Sequence, residues 1–229
     1  MTTRRSLVTA LALLSASICM AGPTVTVFDS PYQAGQGGEF EALILAPGLD
    51  GLPTGTRFQT FCVEKNEYIN LGSSYYARVL TYADLGGIAG GPYDPLDPRA
   101  AWLYDQFLNQ TLPGYDFSTT SGRLSSAEAL QHAIWYIEQE ETDSQINALP
   151  AAIRTATWDF INLANASDWA QQGTTGQVRV LSLYSDPQFT SRAQDLLCRV
   201  VPAPGALLMT SLGTVLMGII RRKSLGLGR

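Results

Sequence analysis

The chain has 229 residues, of which 45% are hydrophobic, so it can bury the core of one sizeable globular domain. Its formal charge is −5, but six of its 15 basic residues lie in the first 21 and last 28 positions, which contain no acidic residue. The segment between them holds 9 basic and 20 acidic residues, a net charge of about −11. This acidity argues against nucleic-acid binding, which requires a basic surface.

The first 21 residues have the pattern of a secretory signal peptide. Arg4 and Arg5 provide the positive start, and residues 7–18 form the apolar segment. Ala21 has the small side chain that a signal peptidase requires, so we expect cleavage after it and export of the chain.

Alternating β-branched and apolar residues predict that the first half of the chain is rich in strands. The predicted strands cover residues 24–28, 40–46, 57–64 and 75–80. A loop is expected at residues 86–98, which are dense in Gly, Pro and Asp. Asp94 and Asp97 lie in this loop without the alternating carboxylates of a calcium site. Asp97 directly before Pro98 is the expected N-cap of the next helix.

Three helices are expected next, followed by two strands. The helices cover residues 100–108, 125–138 and 150–164, and the strands cover residues 177–184 and 193–201. In the middle helix we expect Ser125 to be the N-cap and Glu128 to complete a capping box. The acidic run 138–143 is expected to be a solvated face. This order of elements predicts an α+β domain, with a helical insert packed on a β-sandwich or barrel-like sheet.

Two short motifs are of chemical interest. The motif FCVE at residues 61–64 ends a predicted strand, and LQHAIW at residues 130–135 lies in the middle helix. The ordered pair resembles the thioester domains of bacterial surface adhesins. In that family an aromatic-Cys strand precedes an apolar-Gln-x-x-apolar-Trp helix, and the Cys thiol and the Gln carbonyl form an internal thioester.

The resemblance implies a thioester between Cys62 and Gln131, covered by Trp135. His132 departs from the family pattern, which has a small or apolar residue there. It is expected to be either a surface histidine or a proton carrier for an attacking nucleophile. A thioester is an activated acyl group that an amine on another surface attacks once. We therefore expect a covalent tether, not an enzyme, that needs neither cofactor nor metal.

A second interpretation of the same residues is open. Export leaves two cysteines, Cys62 and Cys198, and an oxidising compartment permits either a disulfide between them or two free thiols. The chain would then be a non-reactive structural protein of the extracellular matrix or envelope, in which Cys62 is structural or bonded to Cys198.

The C-terminal segment, residues 200–229, has three consecutive parts. A short motif comes first, consisting of Val201, Pro202, Ala203, Pro204 and Gly205. An apolar run at residues 206–220 follows, and although it is shorter than the roughly 20 residues of a usual span, we expect it to be a transmembrane helix. A basic cluster follows the run, consisting of Arg221, Arg222 and Lys223, and favours a cytoplasmic C-terminus.

This order of parts resembles a PEP-CTERM sorting signal, in which Ala203 replaces the usual Glu. The resemblance implies a bacterial protein processed by an exosortase-type enzyme. Such a protein is held transiently in the inner membrane and is then released or attached at the cell surface. The expected organisation is a signal peptide at residues 1–21, a thioester-domain-like domain at 22–199 and a sorting signal at 200–229. The expected partner is an amine-bearing surface or matrix component.

Overall fold

A computed structural model describes residues 22–35, 37–84, 91 and 93–201. The expected signal peptide therefore lies outside the described residues, as do all residues of the expected sorting signal after Val201. These are the remaining motif residues, the apolar run and the basic cluster, namely Pro202, Ala203, Pro204, Gly205, residues 206–220, Arg221, Arg222 and Lys223. Within the part of the chain that is described, no helix has the length and apolarity needed to cross a membrane.

The described residues contain ten strands, which form one main sheet and two small pairs. They are β1 (Thr24–Phe28), β2 (Gln33–Ala34), β3 (Gly37–Gly38), β4 (Phe40–Ile44), β5 (Arg57–Thr60), β6 (Ser74–Leu80), β7 (Tyr82–Ala83), β8 (Asp94–Pro95), β9 (Val178–Tyr184) and β10 (Arg192–Arg199). The main sheet is antiparallel and has the order β10-β9-β6-β1-β4-β5. Strands β2 and β3 form a hairpin, and β7 pairs with β8.

Five helices follow one another between β8 and β9. They are α1 (Pro98–Leu108), α2 (Thr120–Ile137), α3 (Asp143–Asn147), α4 (Ala151–Asn165) and α5 (Asp168–Gln172). The predicted α+β class is therefore confirmed. Asp97 is the N-cap of α1, as expected, because its Oδ1 accepts a hydrogen bond of 2.8 Å from the Arg99 backbone N–H.

The start of α2 differs from the prediction. The helix begins five residues before Ser125, and its N-cap is Thr119, whose hydroxyl accepts from the Gly122 N–H at 3.1 Å. The predicted capping box of Ser125 and Glu128 is therefore wrong. The loop before the helix is closed by Asp116, whose carboxylate bonds to the Thr119 backbone N–H at 3.1 Å and its hydroxyl at 2.6 Å.

The structure also divides the residues of the predicted strand at 57–64 between two places in the sheet. Strand β5 ends at Thr60, and the next residues join the opposite edge of the sheet. The Leu197 N–H donates to the Phe61 carbonyl at 3.0 Å, and the Val63 N–H donates to the Asp195 carbonyl at 2.8 Å. We call this short contact between the two sheet edges the seam, and Cys62 lies at its centre.

Helix α2 takes part in both hydrophobic clusters of the domain. Its apolar stripe, whose helical spacing is visible in the sequence, is buried and consists of Ala127, Leu130, Ala133, Ile134 and Ile137. This stripe packs with α1 and α4 on one side of the seam. Trp135, on another face of α2, belongs to the second cluster, which includes Cys62 and the apolar side chains of β1 and β4.

A buried ion pair connects the start of α2 with the sheet. Glu39, directly before β4, is fully buried, and its Oε2 accepts from Arg123 Nε at 2.9 Å and from the Tyr115 hydroxyl at 3.0 Å. A second guanidinium nitrogen bonds to the other carboxylate oxygen. This bidentate pair fixes the entry of α2 against the sheet.

We expect Arg123→Ala to lower the free energy of unfolding by about 3–5 kcal/mol, because it leaves the Glu39 charge buried without its partner. The matched control is Arg57→Ala, which removes an exposed pair with Glu41 and should cost at most about 1 kcal/mol. The Arg57 side chain is 54% exposed, whereas that of Arg123 is 17% exposed. Urea unfolding followed by circular dichroism measures both. Equal losses would show that burial of the Glu39 pair is unimportant.

Candidate functional site

The structure brings Gln131 and Cys62 together at the seam. The Gln131 side chain is 1% exposed. Its Nε2 donates to the Cys62 carbonyl at 2.8 Å, and its Oε1 accepts from the Cys62 backbone N–H at 2.9 Å. The same oxygen accepts from the Gly38 N–H at 3.1 Å. The side-chain amide of α2 is thus docked on the peptide groups of Cys62.

The strand register explains why an amide is needed there. In the β4–β5 ladder Phe40 pairs with Thr60, so continued pairing would place Gly38 opposite Cys62. The two strands separate at that point because the chain after Thr60 crosses to β10. The Gln131 amide fills the gap and pairs with backbone groups of both Gly38 and Cys62. It therefore satisfies buried backbone groups that would otherwise lack partners.

The β2–β3 hairpin covers this amide. A Cβ atom at Gly37 would lie 2.5 Å from Gln131 Cγ and 2.8 Å from Trp135 Cη2, closer than any side chain permits. Only glycine allows the hairpin to lie flat on α2. Local sequence patterns do not reveal the contact of this hairpin with Gln131, because it joins residues about ninety positions apart in the chain.

The thiol of Cys62 is also buried, with 3% of the residue exposed. Burial, and to a smaller extent the negative charge of Glu67, raises its pKa well above the usual value. The thiol is therefore protonated at neutral pH, which makes it a weak nucleophile until the proton is transferred. Cys198 is likewise buried, its pKa is raised to about 12 by burial, and both cysteines are free thiols.

The amide and the thiol border different cavities. A pocket of about 190 Å³ reaches Gln131, and we call it the amide pocket. Its lining consists of Ala34, Gly35, Gly37, Lys65, Glu128, Gln131, His132 and Trp135. Cys62 borders a second pocket of about 150 Å³, together with Glu67 and Gln194. A molecule in the amide pocket therefore approaches Gln131 from a side that Cys62 does not occupy.

His132 lies at the wall of the amide pocket and is not a surface residue. Its side chain is 16% exposed, and its Nδ1 lies 2.8 Å and 3.0 Å from the two carboxylate oxygens of Glu141. The ring also packs edge-on against Trp135, with ring centroids 5.6 Å apart. A carboxylate that holds Nδ1–H leaves Nε2 as the proton acceptor of the neutral ring. The structure thus adds Glu141 as an orienting partner that the sequence analysis missed.

The prediction that the acidic run 138–143 is a solvated face was wrong for its three glutamates, although Asp143 is exposed. Glu138, Glu140 and Glu141 are each at most 4% exposed. The Glu138 carboxylate accepts from the Asp97 N–H at 3.1 Å, and the Glu140 carboxylate accepts from the Lys65 N–H at 3.1 Å. The chain folds back after Ile137, and this places the carboxylates against distant backbone donors that no local pattern reveals.

Two further carboxyl groups lie in the segment after Cys62. Burial, followed by the nearby charge of Glu140, raises the pKa of Glu64 to about 10. Burial and the charge of Asp195 raise the pKa of Glu67 to about 8. Burial also raises the pKa of Asp195 to about 6. Despite this density of acids, no group of His, Cys, Asp and Glu side chains in residues 22–35, 37–84, 91 and 93–201 has the geometry of a metal site.

We expect Gln131→Leu to lower the free energy of unfolding by at least about 2 kcal/mol, because it leaves the peptide groups of Cys62 and the Gly38 N–H buried without partners. The control is Gln171→Leu, at an exposed position before the end of α5, which should change stability by at most about 0.5 kcal/mol. Urea unfolding provides the measurement. A loss at Gln131 no larger than at Gln171 would refute the bridging role of the amide.

Stability should fall as the pH rises. Glu64 and Glu67 retain protons in the folded chain at pH values where the unfolded chain, with a pKa near 4.5, has released them. Their stabilising contribution is therefore complete below pH 4.5. As the pH rises further it is lost progressively, until about pH 8 for Glu67 and about pH 10 for Glu64. Melting temperatures across this range should decline, and Glu64→Gln should flatten the decline. Asp159→Asn, at an exposed position, should leave the slope unchanged.

A scan of the chain against protein-family models finds no match. A search of curated proteins also finds no match. The functional interpretation therefore depends on the contacts of Gln131 and Cys62 and on the motifs that contain them.

Proposed function

We propose that this chain is an exported bacterial protein of the cell surface or extracellular matrix that attaches covalently to amines through an internal thioester between Cys62 and Gln131. The observation that carries the proposal is the docking of the Gln131 amide, which is 1% exposed, on the peptide groups of Cys62. Burial limits the access of water to an acyl group stored at this position.

The thioester would form by exchange of one bond at Gln131 Cδ for another. The sulfur of Cys62 attacks Cδ of Gln131, the bond from Cδ to Nε2 breaks, and ammonia leaves with the thiol proton. The amide is docked on the peptide groups of Cys62, and this contact between the two residues is the proximity from which such a step would start. Because burial raises the pKa of Cys62, the proton leaves during the attack and not before it.

The partner would be captured through the amide pocket. An amine nitrogen attacks Cδ of Gln131, the bond from Cδ to sulfur breaks, and Cys62 regains a proton. His132, oriented by Glu141, is placed to take the proton of the amine as it attacks. Trp135 packs beside the site and contributes to the exclusion of water. The reaction occurs once per chain, so the protein is a tether and not an enzyme.

The order of the segments along the sequence supports the remaining parts of the proposal. A barrel-like sheet closed at the seam, with the helices inserted, would form the thioester-domain-like unit at residues 22–199. The signal peptide would direct export, and the segment 200–229 would hold the chain in the inner membrane until an exosortase-type enzyme processes it. The acidic domain suits an amine-bearing surface or matrix partner and not a nucleic acid.

A second candidate is a non-reactive matrix or envelope protein with the same fold. It is favoured by the three hydrogen bonds of the Gln131 amide, which give that residue a purely structural role. In this case Cys62 is a buried apolar residue of the second cluster.

The intact mass of the exported chain, purified under mild non-reducing conditions, distinguishes the two candidates. We expect a loss of about 17 Da, the mass of ammonia, that is absent from Cys62→Ala and Gln131→Ala. Methylamine should then add about 31 Da to the thioester form and release one thiol. The matched control Cys198→Ala should retain both behaviours.

Two other results would contradict the thioester. An unmodified mass in freshly prepared protein would leave only the structural candidate. A loss of about 2 Da that Cys198→Ala abolishes would indicate a disulfide between Cys62 and Cys198.

A further inference from the structure

The chain contains very few lysines. It has two, Lys65 and Lys223, against 13 arginines. Every lysine in a protein with an amine-reactive acyl group is a potential acceptor within its own chain or a neighbouring copy. Arginine is not, because its guanidinium stays protonated. The composition therefore suits a chain that must avoid reacting with itself.

The one lysine among the described residues lies beside the site. Lys65 follows Cys62 by three positions and lines the amide pocket together with Gln131. Its Nζ lies 5.5 Å from the centroid of the Trp135 ring. Trp135 and Gln131 in turn lie side by side under Gly37, so the amine of Lys65 borders the same pocket as the Gln131 amide.

Glu141 holds this amine. Its carboxylate side chain is 1% exposed, and Oε1 forms an ion pair with Lys65 Nζ while both oxygens contact His132. Burial would raise the pKa of Glu141, but the hydrogen bonds from His132 and Lys65 outweigh burial and lower it. Glu141 is therefore ionised at neutral pH. An ammonium bound to it has no lone pair with which to attack a carbonyl.

We propose that Glu141 protects the thioester from Lys65, so that an amine from outside, and not the chain's own lysine, captures Gln131. This inference rests on the proposed thioester. Without the Glu141 carboxylate, no ion pair holds the Lys65 amine, and it attacks Cδ of Gln131. The bond from Cδ to sulfur breaks, one proton passes from nitrogen to sulfur, and an amide joins Lys65 to Gln131 with no change in mass.

The test compares the exported full chain with the variants Lys65→Arg, Glu141→Gln and the double variant. Wild type and Lys65→Arg should lose about 17 Da and take up methylamine. Glu141→Gln should also lose about 17 Da, but its methylamine uptake should be at least about tenfold lower because an internal acceptor reacts first. Cys62 should then be open to alkylation after denaturation. Tandem mass spectrometry should find a peptide that joins Lys65 to Gln131.

The double variant is the matched control. It carries the same change at Glu141, and so the same loss of the His132 partner, but lacks the amine. Its methylamine uptake should therefore clearly exceed that of Glu141→Gln. Uptake by Glu141→Gln equal to that of wild type would overturn the protective role and leave the thioester intact. A link between Lys65 and Gln131 in wild type would also overturn it. Absence of the 17 Da loss in both wild type and Lys65→Arg would instead remove the thioester, and this inference with it.

A second measurement covers the case in which changes at Glu141 prevent folding. It is incubation of the unaltered chain at about pH 10, where amines in general begin to lose their protons. Wild type should then convert to a form that resists methylamine and has a free Cys62 thiol. Lys65→Arg should only hydrolyse. Equal behaviour of the two chains would refute the proposal.

Discussion

The organisation of the domain depends on one requirement, that the buried peptide groups of Cys62 have hydrogen-bond partners. After Thr60 the chain leaves β4 and pairs with β10. The N–H and carbonyl of Cys62 therefore have no partner in either β4 or β10. Gln131 supplies a side-chain amide with the same donor and acceptor as a peptide. The helical insert is thereby bound to the sheet at a specific rotation of α2.

That rotation determines the rest of the site. With Gln131 directed at the seam, the neighbouring positions on α2 place Trp135 in the second cluster and His132 at the pocket wall. The hairpin that carries Gly37 can then approach only as a backbone without a side chain. The acidic turn after α2 folds back to the same place and brings Glu141 to His132. The site is therefore assembled from segments that are far apart in sequence but share one helix as their support.

Local patterns predicted the parts of the fold that local forces determine. The apolar period of α2 and the Asp97 N-cap of α1 agree with the structure, because each depends on residues within a few positions. The capping box at Ser125 has the same local signature as a real one, but the Asp116 and Thr119 network starts the helix earlier. Local sequence does not decide between two adequate caps.

The seam and the buried acids could not be predicted in this way. Their partners are remote: Cys62 and Gln131 are 69 positions apart, and Glu140 and the Lys65 N–H are 75 apart. The sequence drew attention to Cys62 and Gln131 only through motif resemblance. It gave no reason to place Glu140 or Glu141 in the interior, since a run of carboxylates is ordinarily a solvated surface.

The two separate cavities at the site impose a direction on any acyl transfer through it. The amide pocket has a volume of about 190 Å³, roughly that of six water molecules. In the proposed attachment it would admit the extended arm of a lysine but not a folded segment, which would favour partners whose amines project from a flexible surface. Cys62 lines the other cavity, so a thiol released by the partner would border a different space from the one through which the amine enters. Entry and departure by different routes would keep the thiol away from the new bond and make attachment difficult to reverse.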